Sequence, residues 1–389
     1  MKLIDLEIDI PKIEDNLAKL SDITRLEIFN TDEEIFNKLD YSNDNIFLEP
    51  SLFFFIFEKA NNSISIELKQ LLWGYIDNDY KSGEIDISTD SEGRIYLPNL
   101  GYFIYLPNKK LQLKYTKEGK YEFYNLNEKI HPLVLIKNIY LSSSNIKLCQ
   151  HKSKFLENEC SATFNEPIEE TLSKYRSVID ESWVKLKKIA PNFCSLIQMT
   201  TREIFLFDCE NQNSFAAMSY FGAIFINVNN QEVNEVFLID DLSHQCGHII
   251  FYALVLDAQE LFLCHPGTLL SDLFSIADPR TIYDAFHGLF TYTTVLFSLE
   301  KCYDSNIFSK IHQHEIIGRI GFYLQKFEID LNYMRNAAIL SKQGVSMYKM
   351  FEAGFTYLYK KFNQSIANYS YQNQDYFFNY KQFKAINSD

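Results

Sequence analysis

The 389-residue chain is long enough for one large domain or two of ordinary size, and its 47% hydrophobic and 23% charged residues exclude wholesale disorder. Its 37 Lys and Arg stand against 51 Asp and Glu. The resulting net charge of −14 repels phosphate backbones, so neither nucleic acid nor an anionic membrane is expected as the main partner.

The opening segment, Met1 to Asp9, alternates apolar and acidic residues and lacks the basic head and unbroken apolar run of a secretory signal. No stretch reaches the ~18 uncharged apolar residues of a membrane span. The seven cysteines (149, 160, 194, 209, 246, 264 and 302) show no CxxC spacing and read as reduced thiols, so a cytoplasmic chain is expected.

Residues 1 to about 80 read as mostly helical, with Ser63 to Ile76 carrying apolar residues at helical spacing. From about 84 to 150 the pattern turns to short β-type runs. Ile95-Tyr96-Leu97, Tyr102 to Leu106 and Leu111 to Tyr115 are the clearest, with Pro98-Asn99, Pro107-Asn108 and Glu118-Gly119 as turns. Residues 1–160 are thus expected to form an N-terminal α+β domain with an antiparallel sheet, an accessory that grips a peptide by taking it up as an extra strand. The polar stretch 151–166 reads as a linker.

Residues 161–389 are expected to form a mostly helical domain with a small sheet, which makes the whole chain α+β. Pro167 with Glu169 and Glu170 opens a helix to about Ile189, and Pro191 stops it. Glu203 to Asp208 and Phe221 to Asn227 read as strands. From Gln231 to about residue 365 nearly everything reads as helix, and 366–389 as a loose polar and aromatic tail. His312 and His314, two apart on a helix, point in different directions and are expected on the solvated surface. His131 and His151 have no supporting motif.

The informative stretch is Asp240-Asp241-Leu242-Ser243-His244-Gln245-Cys246-Gly247-His248. Histidines at i and i+4 lie one turn apart on one helix face, so both imidazoles can reach a single metal ion. In the HExxH motif of zinc peptidases a glutamate follows the first histidine as general base. Here that position is Gln245, whose amide takes no proton near neutral pH. The histidine geometry is kept without the hydrolytic base, which turns the reading away from a zinc metallopeptidase-like hydrolase.

In Asp278-Pro279-Arg280-Thr281-Ile282-Tyr283-Asp284-Ala285-Phe286-His287, Asp278 reads as an N-cap and Pro279 as the first helical residue. Arg280 and His287 are then about two turns apart on one face, ~10 Å along the axis. A metal-binding histidine and an arginine so placed can hold a small dicarboxylate, the guanidinium gripping its far end.

Residues from about 167 to 360 resemble the HExxH-type peptide β-hydroxylases, iron and 2-oxoglutarate dependent enzymes that tailor ribosomally made peptides. The resemblance rests on the order and spacing of several blocks. They are the opening helix with Glu203 to Phe207, then Ser214 through Gly222 to Asn227, and then His244-Gln245-Cys246-Gly247-His248. Asp278-Pro279-Arg280 leading to His287-Gly288-Leu289-Phe290-Thr291-Tyr292 follows, with Leu340 to Gly344 last. It implies an Fe(II)/2-oxoglutarate-dependent dioxygenase that uses O2 to hydroxylate the β carbon of a side chain in a ribosomally synthesised precursor peptide. It implies His244, His248 and His287 as metal ligands, Gln245 and Arg280 as catalytic-site residues, and Arg280, Tyr283 and Thr291 as the residues holding 2-oxoglutarate. The sequence departs from the family at Gln245, where the family has glutamate, and at Leu263 to Gly267, where His265 competes with His287. Asp240, Asp241, Asp272 and Asp278 are nearby acids able to ligate or orient. A catalytically degenerate peptide-binding relative is the other alternative.

Overall fold

The computed structural model describes residues 8–61, 68–81, 83–160, 164–274, 276–335 and 338–387. The fold is α+β, with 54% helix and small sheets. By internal packing the chain divides into two units. One comprises Glu14–Lys174 and Thr201–Asn227, the other Met1–Ile13, Tyr175–Thr200 and Val228–Asp389.

The first unit opens with helices α1 (Ile10–Thr31), α2 (Glu33–Phe36), α3 (Asp44–Phe47), α4 (Pro50–Asn61) and α5 (Leu68–Trp73). The start of the helix expected over 63–76 lies outside the described residues, and its end is α5. Strands β1 (Glu84–Ser88), β2 (Arg94–Leu97), β3 (Gly101–Ile104), β4 (Lys110–Tyr115), β5 (Tyr121–Asn125), β6 (Glu128–Lys129) and β7 (Ile136–Lys137) follow. They form two antiparallel sheets, ordered β1-β4-β5-β6 and β2-β3-β7. Period-two alternation puts Leu111 and Leu113 of β4 on the buried face, where they pack with Phe103, Phe123 and Trp73.

A third sheet has the order β11-β10-β9-β8, from β8 (Ile139–Tyr140), β9 (Lys147–Leu148), β10 (Glu203–Phe207) and β11 (Ala223–Asn227). Both β10 and β11 are buried along their whole length, as parallel strands covered on two faces must be. Because β9 pairs in register with β10, residues 201–227 fold with the N-terminal unit rather than after a boundary at 160. Nor is 151–166 a featureless linker. Ser153 caps helix α6 (Lys154–Glu159), which buries Phe155 and Leu156 in an aromatic cluster with Phe54, Tyr220 and Phe225.

The cross-strand partners Lys147 and Glu203 carry charge into this interior. The Lys147 ammonium lies 2.7 Å from Glu203, 3.1 Å from Glu49 and 2.9 Å from the Tyr96 hydroxyl, which donates to Glu203 at 2.9 Å. Tyr75 donates to Glu49. One cation cannot neutralise two carboxylates, and Glu203 Oε2 has no partner. Burial, partly offset by Lys147, raises the Glu203 pKa from its ordinary 4.5 to about 7. A folded-state pKa above the unfolded one stabilises the protein fully below pH ~4.5, and that contribution fades as pH climbs through ~7. The urea midpoint followed by Trp73 fluorescence in a Trp183→Phe background is therefore expected to fall between pH 5.5 and 8. Buried histidines act in the opposite sense below their ordinary pKa, so the comparison is with Glu203→Gln, which should lose this decline.

The second unit contains the rest of α7 (Ile168–Ile189), then α8 (Pro191–Thr200), α9 (Glu235–Leu254), α10 (Leu270–Phe274), α11 (Ile282–Asp304), α12 (Lys310–Met334), α13 (Lys342–Ile366) and α14 (Tyr380–Ile386). Pro191 starts α8 as well as ending α7, since a proline at the first helical position loses no hydrogen bond. The expected loose tail instead ends in α14. Its Tyr380 and Phe383 cover His314, which is buried rather than solvated and meets the Tyr380 hydroxyl at 3.1 Å. His312 lies 3.4 Å from Glu235. No helix among the described residues is long and apolar enough to cross a membrane.

Candidate functional site

Helices α9 and α11 approach through small residues. Gly247 faces Thr294, where a Cβ would lie 2.5 Å from the threonine hydroxyl. That hydroxyl donates to the Ser243 carbonyl at 2.8 Å, and the Ser243 and Ser298 hydroxyls meet at 2.8 Å. Neighbouring His248 is thereby carried toward α11.

The start of α11 differs from expectation. Thr281, not Asp278, is the N-cap, and a capping box links it to Asp284. The signal was present as Thr281-x-x-Asp284, but Asp278-Pro279 imitates a helix start three residues earlier. His287 stands in the second turn, and Arg280 precedes the helix.

The imidazoles of His248 and His287 meet, with Nδ1 of the first 2.9 Å from Nε2 of the second. The His287 ring stacks on Phe251, with centroids 4.5 Å apart, and takes edge contacts from Tyr252 and Tyr283. His244 lies one turn before His248, with ring centroids 5.1 Å apart. His287 is buried, while His244 and His248 keep some accessible surface. Desolvation lowers the pKa of all three, to about 4 for His248 and well below the usual value for the others. The His244 and His287 values are lowered further by the charge of neighbouring histidines, with Lys326 adding to the effect on His244. All three rings are therefore neutral at pH 7, the form in which imidazole binds a metal.

Two nitrogens each ~2.1 Å from one ion and at right angles to each other stand ~3.0 Å apart. The His248–His287 pair fits that spacing. No third donor joins it: among the described residues, no three His, Cys, Asp or Glu side chains are grouped to hold a metal ion. The fit to a three-histidine site is thus two nitrogens in place and a third ring one turn away.

The other expected site residues are placed as follows. Gln245 donates to Asp241 at 3.0 Å, and its Oε1 is buried without a partner. Tyr283 packs beside His287. The Thr291 hydroxyl is turned back on its own helix and donates to the Gly288 carbonyl at 3.0 Å, so its proton is spent locally. His265 is exposed and accepts from the Gly267 amide at 3.1 Å. His287 is the histidine seen in contact with the α9 pair, through His248.

Arg280 is not an open fork. Asp278 accepts from its Nε and Nη2, and Asp330 accepts from Nη1 and Nη2 at 3.0 and 2.7 Å. Arg280 also opposes the rise that burial gives the Tyr292 pKa. With Asp330 only 1% exposed, the arginine ties the entry of α11 to α12. Arg280→Ala is expected to lower the unfolding free energy by about 1.5–3 kcal/mol, since a buried carboxylate loses charged hydrogen bonds. Thermal and urea unfolding measure it. A variant as stable as the parent would instead favour the anchoring role.

Sequence reasoning expected helix over α12 but missed the charged residues it contributes. Arg319 on this helix is held by Asp240 at 2.6 Å and Glu315 at 2.7 Å, and Tyr323 donates to Asp240 at 2.9 Å. The i,i+4 pair Glu315 and Arg319 looks like ordinary surface charge until the partner on α9 is known. Lys326, also missed, donates to the Tyr376 carbonyl and sits over that ring. Burial lowers its pKa to about 8.

Compared with protein families and with curated proteins, the chain matches none of them.

Proposed function

We propose that the helical unit is an Fe(II)/2-oxoglutarate-dependent oxygenase that hydroxylates a side-chain carbon of a ribosomally made peptide, with His244, His248 and His287 as ligands. One observation carries the reading. Imidazoles 39 residues apart in sequence come nitrogen to nitrogen at 2.9 Å, neutral and enclosed, beside a third histidine. Bound iron with 2-oxoglutarate and O2 would supply the oxidising power for attack on an unactivated C–H bond.

The chain's own part is to hold the rings unprotonated, exclude water and orient the acids. Neutral rings require no proton release when a cation binds. Gln245 cannot act as a general base, so hydrolysis of a peptide bond is not favoured. Arg280 is held by Asp278 and Asp330, and Lys326, whose charge adds to the lowering of the His244 pKa, is a second cation proposed to meet an acidic co-substrate.

Anaerobic titration with Fe(II) and 2-oxoglutarate tests the proposal through the visible charge-transfer band of the ternary complex. Aerobic succinate formation, and addition of one oxygen atom to a cognate peptide, complete it. A protein that takes up no iron under these conditions is a peptide-binding relative without the activity.

A further inference from the structure

Before α14 the chain packs along α12 and forms a short loop, Gln374 to Asn379. Gly318 of α12 admits its neighbours closely, since a Cβ there would lie 2.6 Å from the Phe383 ring. The base of the loop is closed. Gln374 Oε1 accepts from the Asn379 N–H at 2.7 Å, and Asn379 Nδ2 donates to the Asn230 carbonyl at 3.0 Å. Phe378 is buried against Phe322 and Phe383, with centroids 5.7 and 5.1 Å apart.

The tip is held differently. Tyr376 is 58% exposed and Phe377 38%. Among the described residues, the one hydrogen bond reaching Asp375, Tyr376 or Phe377 comes from the Lys326 ammonium, which donates to the Tyr376 carbonyl. The same ammonium lies 3.9 Å from the centre of the Tyr376 ring and 5.9 Å from that of Phe377. A loop fixed at its base and held at its tip by one side chain opens without disturbing the core beneath it.

Lys326 also adjoins the histidine group. On α12, Tyr323 lies one turn before it and Asp330 one turn after, so the three share a side of the helix. The Tyr323 ring is 6.2 Å from that of His244, and Asp330 accepts from Arg280 at the entry of α11. The Lys326 charge adds to the lowering of the His244 pKa. His244 and His248 keep accessible surface, so the group has an open side.

We propose that the tip Asp375-Tyr376-Phe377 is a lid over the open side of the histidine group, latched by Lys326. The inference rests on the reading of that group as the reacting centre. A site that oxidises C–H bonds has to admit its substrate and then shut water out, and a loop with a fixed base and one releasable contact does both.

Two readouts test the latch on the full chain with no metal present. Chymotrypsin cuts after aromatic residues, and where reclosing outpaces cleavage the rate follows the open fraction. Lys326→Met keeps the length of the side chain but removes the donor and the charge. It should speed cleavage after Tyr376 or Phe377 about tenfold, while Lys326→Arg stays near the parent rate. Carbethoxylation of His244 and His248 by diethyl pyrocarbonate, located by peptide mass, should accelerate in Lys326→Met and not in Lys326→Arg. Circular dichroism reports folding. Tyr376→Ser changes only an exposed side chain, and its faster cleavage after Phe377 replaces the first readout should Lys326→Met not fold. Unchanged tip cleavage in the folded variant, or faster cleavage with no change at His244, overturns the proposal. Neither readout needs iron, so a chain that takes up no iron in the anaerobic titration fails the oxygenase reading and leaves the latch result as measured.

Discussion

Arg319→Ala is expected to cost the helical unit about 3–5 kcal/mol, because it removes one partner from a buried ion network and leaves Asp240 and Glu315 facing each other uncompensated. The arginine is 3% exposed, and its guanidinium serves both carboxylates while lying 4.9 Å from the Phe378 ring. Arg319→Lys should restore only part of the loss, since an ammonium is a point charge and cannot reproduce the fork. Urea unfolding followed by Trp183, buried in α7, measures it in a Trp73→Phe background. The deficit should shrink toward acid pH, where Asp240, its pKa raised by burial, takes up a proton. A loss under about 1 kcal/mol would mean that the network is not what fixes α9 on α12.

The second large effect is functional. His287→Phe is expected to lower iron affinity by more than about 100-fold, given that changes one shell beyond the ligands already cost 10–100-fold. Phenylalanine keeps the stacking on Phe251 and removes both nitrogens, so packing and ligation are separated. Anaerobic iron titration is the measurement, with Trp183 fluorescence as the control for folding. Full iron affinity in His287→Phe would make this histidine a packing partner only and return the search for a third ligand to the aspartates.

Much of the fold was visible in local pattern. Strands β2, β3, β4, β10 and β11 follow from alternating or unbroken apolar runs, α7 from its proline and acidic start, and α9 from helical spacing. Long-range pairing was not visible. Nothing in Lys147-Leu148 announces a strand, because two residues carry no period; only registry with β10 makes them one. The histidine group was legible as spacing on α9 and as His287 in a helix. The ion pairs of Arg280 were not legible because its two acids arrive from different distances, Asp278 two residues before it and Asp330 fifty after. His151 gave no signal, since its ring contacts, Tyr96 and Tyr102, come from the distant strands β2 and β3.

The seam of Ser243, Gly247, Thr294 and Ser298 fastens the two histidine-bearing helices through hydroxyl and carbonyl groups that belong to none of the three rings. Backbone separation is therefore fixed independently of the donor atoms projecting from it. Exchanging an imidazole for a carboxylate or an amide at 244, 248 or 287 changes the chemistry on offer while the frame holding it stays as built, which makes this pair of helices a mount for interchangeable donor sets.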